Sequence, residues 1–201
     1  MLSATDLSCH RGGRPLFRGV GFTLRPGRWI HVRGANGAGK TSLLRILAGL
    51  SPADEGEVQW NGVPVGRDRA RYHADLLYLG HHAAVKDELT PLENLRAANQ
   101  LDGHTLDDEQ ALRALIRFGL KGREDVPVRF LSAGQRRRAL LARTMTRPAK
   151  LWILDEPLTA LDVSAIEGFA SLVGEHLSRG GLAVVTSHQP LPLEGGEEVV
   201  L

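Results

Sequence analysis

A glycine-rich segment that could hold an anion begins at residue 34. It matches the pattern G-x-x-x-x-G-K-[ST] in the run Gly34-Ala35-Asn36-Gly37-Ala38-Gly39-Lys40-Thr41, after which Ser42 follows. Glycines let backbone N–H groups approach phosphate oxygens because no Cβ stands in the way, and the helix predicted over Thr41–Ala48 directs its positive end at the anion. Lys40 adds a charge for the β- and γ-phosphates of a nucleotide, and the Thr41 hydroxyl is a potential Mg²⁺ ligand. The sequence therefore predicts a phosphate loop.

Two adjacent carboxylates, Asp155 and Glu156, follow the apolar run Leu151–Leu154. A carboxylate at the carboxyl end of a parallel strand lies in the crevice where α/β folds bind ligands. Asp155 is predicted to hold the Mg²⁺ shell together with Thr41, and Glu156 to polarise an attacking water. An Asp-Glu pair alone is more often a solvated turn, but the glycine-rich loop upstream favours the catalytic interpretation.

The elements that must position these residues are those of an α/β fold. The runs Leu151–Leu154 and Leu182–Val185 are continuous and apolar, as expected for strands covered on both faces, and Trp29–Arg33 and Leu76–Leu79 read similarly. Between the first two runs, apolar residues recur at helical spacing from Val163 to Leu177. Strand, helix and strand in this order predict a crossover unit and hence a parallel core sheet.

The remaining parts of the chain predict a small antiparallel sheet and a helical insertion. Glycine and proline punctuate β-like pieces at Leu16–Leu24 and Glu57–Val65, which suggests an N-terminal antiparallel sheet. The segment Pro91–Leu120 is mostly helical in pattern, with one apolar stripe of Leu92, Leu95 and Ala98 and another of Leu112, Leu115 and Ile116. We expect one domain over residues 1–201 with a helical subdomain at approximately 85–135.

Composition limits the class of protein without fixing its function. Of the 201 residues, 42% are hydrophobic and 24% charged, and no apolar run approaches the roughly 20 residues that a membrane-spanning helix needs. The N-terminus carries no secretory signal pattern, so we expect a cytoplasmic protein that reaches a membrane only through another chain. Cys9 is the single cysteine, and the formal net charge of +2 gives no argument for binding nucleic acid.

A third motif, Leu131-Ser-Ala-Gly-Gln135, opens a helix predicted over Ser132–Thr146 with Ser132 as its N-cap. It resembles the LSGGQ signature of the ATP-binding-cassette family, with Ala133 at a glycine position. Ala160-Leu161-Asp162 resembles the D-loop of that family, and His188 after the strand at Leu182 resembles its switch histidine. With the phosphate loop and Asp155-Glu156, five motifs stand in the family's order over nearly the whole chain.

This resemblance implies a P-loop NTPase fold, binding of ATP with Mg²⁺, and ATP hydrolysis. It also implies a head-to-tail homodimer or pseudo-dimer; the homodimer would enclose two ATP molecules. Each ATP would lie between the phosphate loop of one subunit and the signature helix of the other, so the contacts expected from the second subunit come from Ser132, Gly134, Gln135 and Asp162. Glu156 and His188 would be the catalytic pair. Membrane subunits would dock on the helical insertion.

The sequence departs from the family pattern at two further places. The glutamine expected after the strand Leu76–Leu79 is replaced by His81, followed by His82; His81 is either a substitute contact for the Mg²⁺ shell or water, or a tolerated loop residue. The aromatic residue that stacks on adenine is replaced at about His10 or Arg11, so base stacking would fall to Arg11 or an imidazole. The basic run 136–138 is expected to be a solvated helix face.

One branch of the family is resembled closely: the ATP-binding subunits of the haem exporter in bacterial cytochrome c maturation. The resemblance rests on the segments 34–50, 78–81, 131–135 and 187–191. It implies integral membrane subunits and a haem-handling membrane protein as partners, at the cytoplasmic face of the bacterial inner membrane. The alternatives are an ATPase for another transported lipid, drug or ion, and a non-transport cassette ATPase of DNA repair or translation.

Overall fold

The computed structural model describes residues 1–81 and 84–201, which fold around two β-sheets. The larger sheet has five parallel strands in the order β6-β7-β8-β3-β9. Its strands are β3 (Trp29–Arg33), β6 (Leu76–Leu79), β7 (Leu151–Leu154), β8 (Leu182–Thr186) and β9 (Gly196–Val200). The first four were predicted from their apolar runs, and the parallel sheet confirms the predicted α/β class. The edge strand β9 was not predicted, because most of its residues are exposed and it lacks an apolar run.

The smaller sheet is antiparallel and has the strand order β2-β1-β4-β5. It comprises β1 (Leu2–Arg11), β2 (Arg14–Leu24), β4 (Glu55–Trp60) and β5 (Val63–Pro64). The segment predicted as one β-like piece, Glu57–Val65, is in fact a hairpin whose two strands are joined at Asn61-Gly62, a pair that favours tight hairpin turns. The predicted antiparallel sheet is therefore confirmed, with one more turn than expected.

Helices cover both faces of the parallel sheet. On one face, α1 (Lys40–Leu47) packs between the two sheets, with α2 (Arg69–Ala74) beside it; on the other lies α7 (Val163–Ser178). Side chains of β7 alternate between these layers: Leu151 and Ile153 pack on the α1 side, and Trp152 and Leu154 on the α7 side. The helix predicted between β7 and β8 is confirmed, although Val163 at its start is 72% exposed rather than part of the buried stripe.

The helical part contains α3 (Pro91–Leu101), α4 (Asp108–Arg117), α5 (Ala133–Leu141) and α6 (Arg143–Thr146). Its core consists of Leu95, Ala111, Ala114, Leu115, Leu120, Ala139 and Ala142. The stripe predicted on α4 was wrong at Ile116, which is 47% exposed, because the two alanines supply the buried face instead. The helix predicted over Ser132–Thr146 is interrupted at Ala142. The subdomain boundaries at about 85 and 135 stay a prediction.

Within the described residues, none of the helices combines the length and apolarity that crossing a bilayer requires.

Candidate active site

The phosphate loop connects the carboxyl end of β3 to the first residue of α1. Gly39 precedes α1 with φ 103°, and a Cβ at this position would lie 3.0 Å from both Leu16 Cβ and Phe17 Cδ1, so backbone strain and close contact both disfavour a side chain here. Lys40 Nζ donates to the carbonyl oxygens of Gly34 at 2.8 Å and Ala35 at 3.2 Å, which curls the loop around the ammonium group. The first turn of α1 contains no acidic residue, so its positive end is available to an anion.

A chain of hydrogen bonds joins the phosphate loop to the carboxylates after β7. Thr41 Oγ1 donates to Asp155 Oδ2 at 2.8 Å, and Thr186 Oγ1 donates to Asp155 Oδ1 at 2.7 Å. Asp155 is only 1% exposed, so these two hydroxyls take the place of its hydration. The Glu156 N–H donates in turn to Thr186 Oγ1 at 2.8 Å. Thr186 was not predicted as a site residue. The sequence contained a signal for it, because Thr186, like Asp155, is a polar residue at the carboxyl end of an apolar strand.

Glu156 has a different environment from its neighbour. Its φ of 50° lies in the left-handed region, and the residue is 8% exposed. Glu156 Oε2 accepts a hydrogen bond from the His188 N–H at 3.3 Å, whereas His188 Nε2 lies 3.6 Å from Oε1, too far for a hydrogen bond. Oε1 is buried and has no hydrogen-bond partner in the described part of the chain. A carboxylate oxygen in this state can accept a hydrogen bond from a water molecule that enters the site.

Arg137 contradicts the expectation that the basic run 136–138 forms a solvated helix face. Its residue is 6% exposed, and its guanidinium donates to main-chain carbonyls after β6 and β7. Burial lowers the pKa of this guanidinium, and the charges of Asp155 and Glu156 oppose that shift. The sequence pattern could have raised this possibility, since three successive helical residues point in directions about 100° apart and do not share one face.

The signature motif and the Asp162 loop are packed together. Ser132 caps α5, and a capping box links its side chain to the Gln135 N–H and the Gln135 side chain to the Ser132 N–H. A Cβ on Gly134 would lie 2.6 Å from the Ala160 carbonyl oxygen, so glycine is what permits this close approach. Asp162 caps α7 by accepting from the Ala165 N–H at 2.9 Å, and it also accepts from Arg138 Nη2 at 2.5 Å. Both contacts lower the pKa of Asp162.

The structure does not bring the signature motif onto the phosphate loop of the same chain. Among the described residues, no hydrogen bond or ion pair connects the segments 131–135 and 34–42. The five motifs therefore form two separate groups, one built on the ends of the parallel strands and one at the start of α5 and α7.

The two places that depart from the family pattern, at His10–Arg11 and at His81, lie at or just after the ends of strands. Arg11 is exposed and ends β1. The neighbouring His10 is held by Asp54, whose Oδ2 accepts from the His10 N–H at 2.5 Å and lies 3.2 Å from Nδ1; these bonds lower the pKa of Asp54. His81 follows β6 and is exposed, and its predicted contact with metal or water stays a prediction. His82 lies outside the described residues.

The donor set at the carboxylates fits Mg²⁺. A threonine hydroxyl and an aspartate carboxylate are hard oxygen ligands, and Mg²⁺ in phosphate sites takes one or two protein ligands alongside phosphate oxygens and waters. Thr41 and Asp155 already hold their oxygens 2.8 Å apart.

Comparison with known proteins gives consistent matches. The family model for ABC transporters matches residues 17–159. The cytochrome c biogenesis ATP-binding export protein CcmA of Methylococcus capsulatus is 52% identical over 194 residues, covering 96% of this chain and 94% of the relative. The protein of the same name from Escherichia coli K12 is 49% identical over 191 residues, covering 95% and 90%.

Solved structures of ATP-binding cassettes have the same fold. A putative ABC transporter ATP-binding protein from Pyrococcus furiosus aligns with a TM-score of 0.85 at 25% identity, covering 98% of this chain and 96% of that one. A dimeric bacterial ABC transporter cassette aligns with a TM-score of 0.87 at 22% identity, covering 100% and 94%. The predicted P-loop architecture is thereby confirmed.

Proposed function

The chain belongs to the ABC transporter family and is an ATPase subunit, and on that premise we propose that its ATP hydrolysis drives the export step of bacterial cytochrome c biogenesis, with haem as the cargo. One observation carries the proposal: identity of about half over nearly the full length of both chains, with relatives named for that process. The alternatives of another transported substrate or a non-transport cassette have no such support.

ATP binding is assigned to the phosphate loop. The backbone N–H groups between Gly34 and Ser42 hold the phosphates, and Lys40 exchanges its contacts with the Gly34 and Ala35 carbonyls for the β- and γ-phosphates. Thr41 and Asp155 would hold Mg²⁺, which, when bound, supplies positive charge against the charge that develops on the phosphate oxygens. Arg11 is assigned to the adenine ring, on which its guanidinium plane can stack.

Hydrolysis is assigned to Glu156 and His188. Glu156 Oε1 has no hydrogen-bond partner among residues 1–81 and 84–201 and lies in a buried carboxylate, so it orients the water that attacks the γ-phosphorus and accepts a proton from it. His188 contacts Glu156 through its N–H, and its side chain, 59% exposed, is assigned the contact with the γ-phosphate. His81 is assigned a position beside the attacking water or the Mg²⁺ shell.

Turnover requires a second copy of the chain. In the described part of the chain, no hydrogen bond or ion pair joins Ser132, Gly134, Gln135 or Asp162 to the phosphate loop of the same protomer. In a head-to-tail dimer, each set completes the site of its partner. The energy of closure passes to integral membrane subunits, and cargo handling is assigned to a haem-handling membrane partner rather than to this chain. The subunit is placed at the cytoplasmic face of the inner membrane.

Complementation tests this function. In a bacterium whose own gene is deleted, the wild-type chain should restore haem-stained c-type cytochromes, whereas Lys40→Ala and Glu156→Gln should not. Glu167→Gln is the control, because Glu167 is exposed on α7 and lies away from the site. Normal c-type cytochromes in the deletion strain, or full restoration by Lys40→Ala, would refute the proposal.

A further inference from the structure

The buried guanidinium of Arg137 is satisfied entirely by the main chain. Arginine has five N–H donors, and five carbonyl oxygens surround this one. Nε donates to Pro157 O at 3.2 Å, and Nη2 donates to Asp155 O at 2.8 Å and to Glu156 O. Nη1 donates to Gly80 O at 3.4 Å and His81 O at 3.3 Å. One side chain of α5 thus holds two loops at once.

The two loops are the ones that follow neighbouring strands of the parallel sheet. The segment 155–157 follows β7 and contains the carboxylates, and the segment 80–81 follows β6 and contains the histidine that stands at the family's glutamine position. Three successive carbonyls of the first segment converge on the guanidinium because the backbone turns at Glu156, where φ is 50°. A non-glycine residue in this region is strained and persists only where its surroundings hold it.

We propose that Arg137 is a positioning residue for hydrolysis: it holds Glu156 in its left-handed turn and ties it to the loop at His81. The role rests on the proposed function, in which Glu156 orients the attacking water. Arg137 is suited to this positioning role because, among the residues described, its guanidinium binds only main-chain carbonyls. The carboxylates of Asp155 and Glu156 are therefore left to contact the metal and the water. A displacement of the segment 80–81 would then change the position of the catalytic carboxylate, because both are bound to the same guanidinium.

The substitution Arg137→Met tests this, since it keeps the apolar stem and removes every donor. Nucleotide affinity should stay within about threefold of wild type, because the phosphate loop is untouched, while kcat per folded molecule falls roughly 10- to 100-fold, as expected for a displaced reacting group. Arg137→Lys should also have low kcat, because one compact ammonium does not span both loops. Full rescue by lysine would overturn the proposal, and this variant decides the question should Arg137→Met not fold.

The chain offers a matched control in Arg147. It is also buried, at 8% exposure, and donates to main-chain carbonyls, from Nε to Leu76 O at 3.2 Å and from Nη2 to His73 O at 2.8 Å, but at the opposite end of β6. Among the described residues it differs from Arg137 in also pairing with a carboxylate, Asp102, whose Oδ2 lies 2.9 Å from Nη1. Arg147→Met should lose stability without losing kcat. Equal loss of kcat in both variants would reduce Arg137 to a structural role and overturn the proposal.

Hydrogen exchange gives a second measure. Amides in the segments 78–81 and 155–158 should exchange faster in Arg137→Met and remain as in wild type in Arg147→Met. ATPase assays of Glu156→Gln, made in parallel, distinguish a failure of the proposed catalytic role of Glu156 from a failure of the positioning role of Arg137. If Glu156→Gln hydrolyses ATP normally, the proposed role of Glu156 is wrong. If Glu156→Gln is inactive and Arg137→Met has wild-type kcat, only the positioning role is wrong.

Discussion

Asp155 and Glu156 are adjacent in sequence, yet their hydrogen bonds separate their roles. Both oxygens of Asp155 accept from threonine hydroxyls, whereas Glu156 has a buried oxygen with no partner among the described residues. A carboxylate whose two oxygens are held by hydroxyls is suited to bind a cation in a fixed position. A carboxylate with an unused acceptor oxygen is suited to accept a hydrogen bond from a water molecule. The position of the two carboxylates at the end of β7 could be predicted from the sequence. Their different hydrogen bonding could not, because it depends on Thr186 of the neighbouring strand β8, which lies about 30 residues away in the sequence.

Thr186→Val should impair both turnover and stability. The valine keeps the shape of the side chain but removes the hydroxyl that donates to Asp155 and accepts from the Glu156 N–H. Both residues therefore lose a hydrogen bond that fixes their position. We expect a loss of about 1–3 kcal/mol in the free energy of unfolding and a fall in kcat of at least roughly tenfold.

Thr144→Val is the control for that substitution, because the Thr144 hydroxyl is also buried but donates to Leu141 O, away from the site. Chemical denaturation and steady-state ATPase assays on both variants make the measurement. Wild-type kcat in Thr186→Val would show that Asp155 and Glu156 are positioned without this hydroxyl.

The apolar strands could be read from the sequence, whereas the polar contacts between elements could not. The runs at 29–33, 76–79, 151–154 and 182–186 are continuous because helices cover both faces of the sheet. Arg137 was assigned to solvent because its partners are main-chain carbonyls of residues up to 57 positions away, and carbonyls leave no mark in a sequence. Ile116 was assigned to the core because alanines, which build the buried face of α4, are weak signals of burial.

Two helices, α3 and α5, begin with a capping box, so the effect of losing the N-cap hydroxyl can be compared between them. Thr90 and Glu93 cap α3 in the same way that Ser132 and Gln135 cap α5. Removing either hydroxyl with Ser132→Ala or Thr90→Ala should lower the free energy of unfolding by about 1 kcal/mol.

Only Ser132→Ala should also slow ATP turnover, because the start of α5 is the end assigned to the partner's nucleotide, whereas α3 carries no such assignment. Urea denaturation gives the first quantity and an ATPase assay above the dimerisation concentration gives the second. If the two variants slow turnover equally, the effect reflects helix stability and the assignment of Ser132 to the nucleotide is wrong.

The two groups of motifs form separate parts of one protomer, and we expect a second protomer to bring them together. The start of α5 has no acidic residue in its first turn, and its end is exposed, so its positive dipole end is free to meet an anion. The phosphate loop presents the anion once ATP is bound. We therefore expect nucleotide to complete an interface between two protomers, with the γ-phosphate as the part that α5 meets.

We expect Glu156→Gln to accumulate as a dimer in ATP and Mg²⁺. The amide keeps the shape of the side chain but accepts no proton from water, so the γ-phosphate persists between the phosphate loop of one protomer and α5 of the other. ADP lacks that phosphate and should leave the variant monomeric, and chelation of Mg²⁺ should weaken the ATP dimer by exposing phosphate charge. Gel filtration with light scattering measures all three states, with Glu167→Gln as a control that hydrolyses its ATP and returns to monomer. A Glu156→Gln chain that stays monomeric in ATP, or that dimerises equally well in ADP, would contradict closure driven by the γ-phosphate.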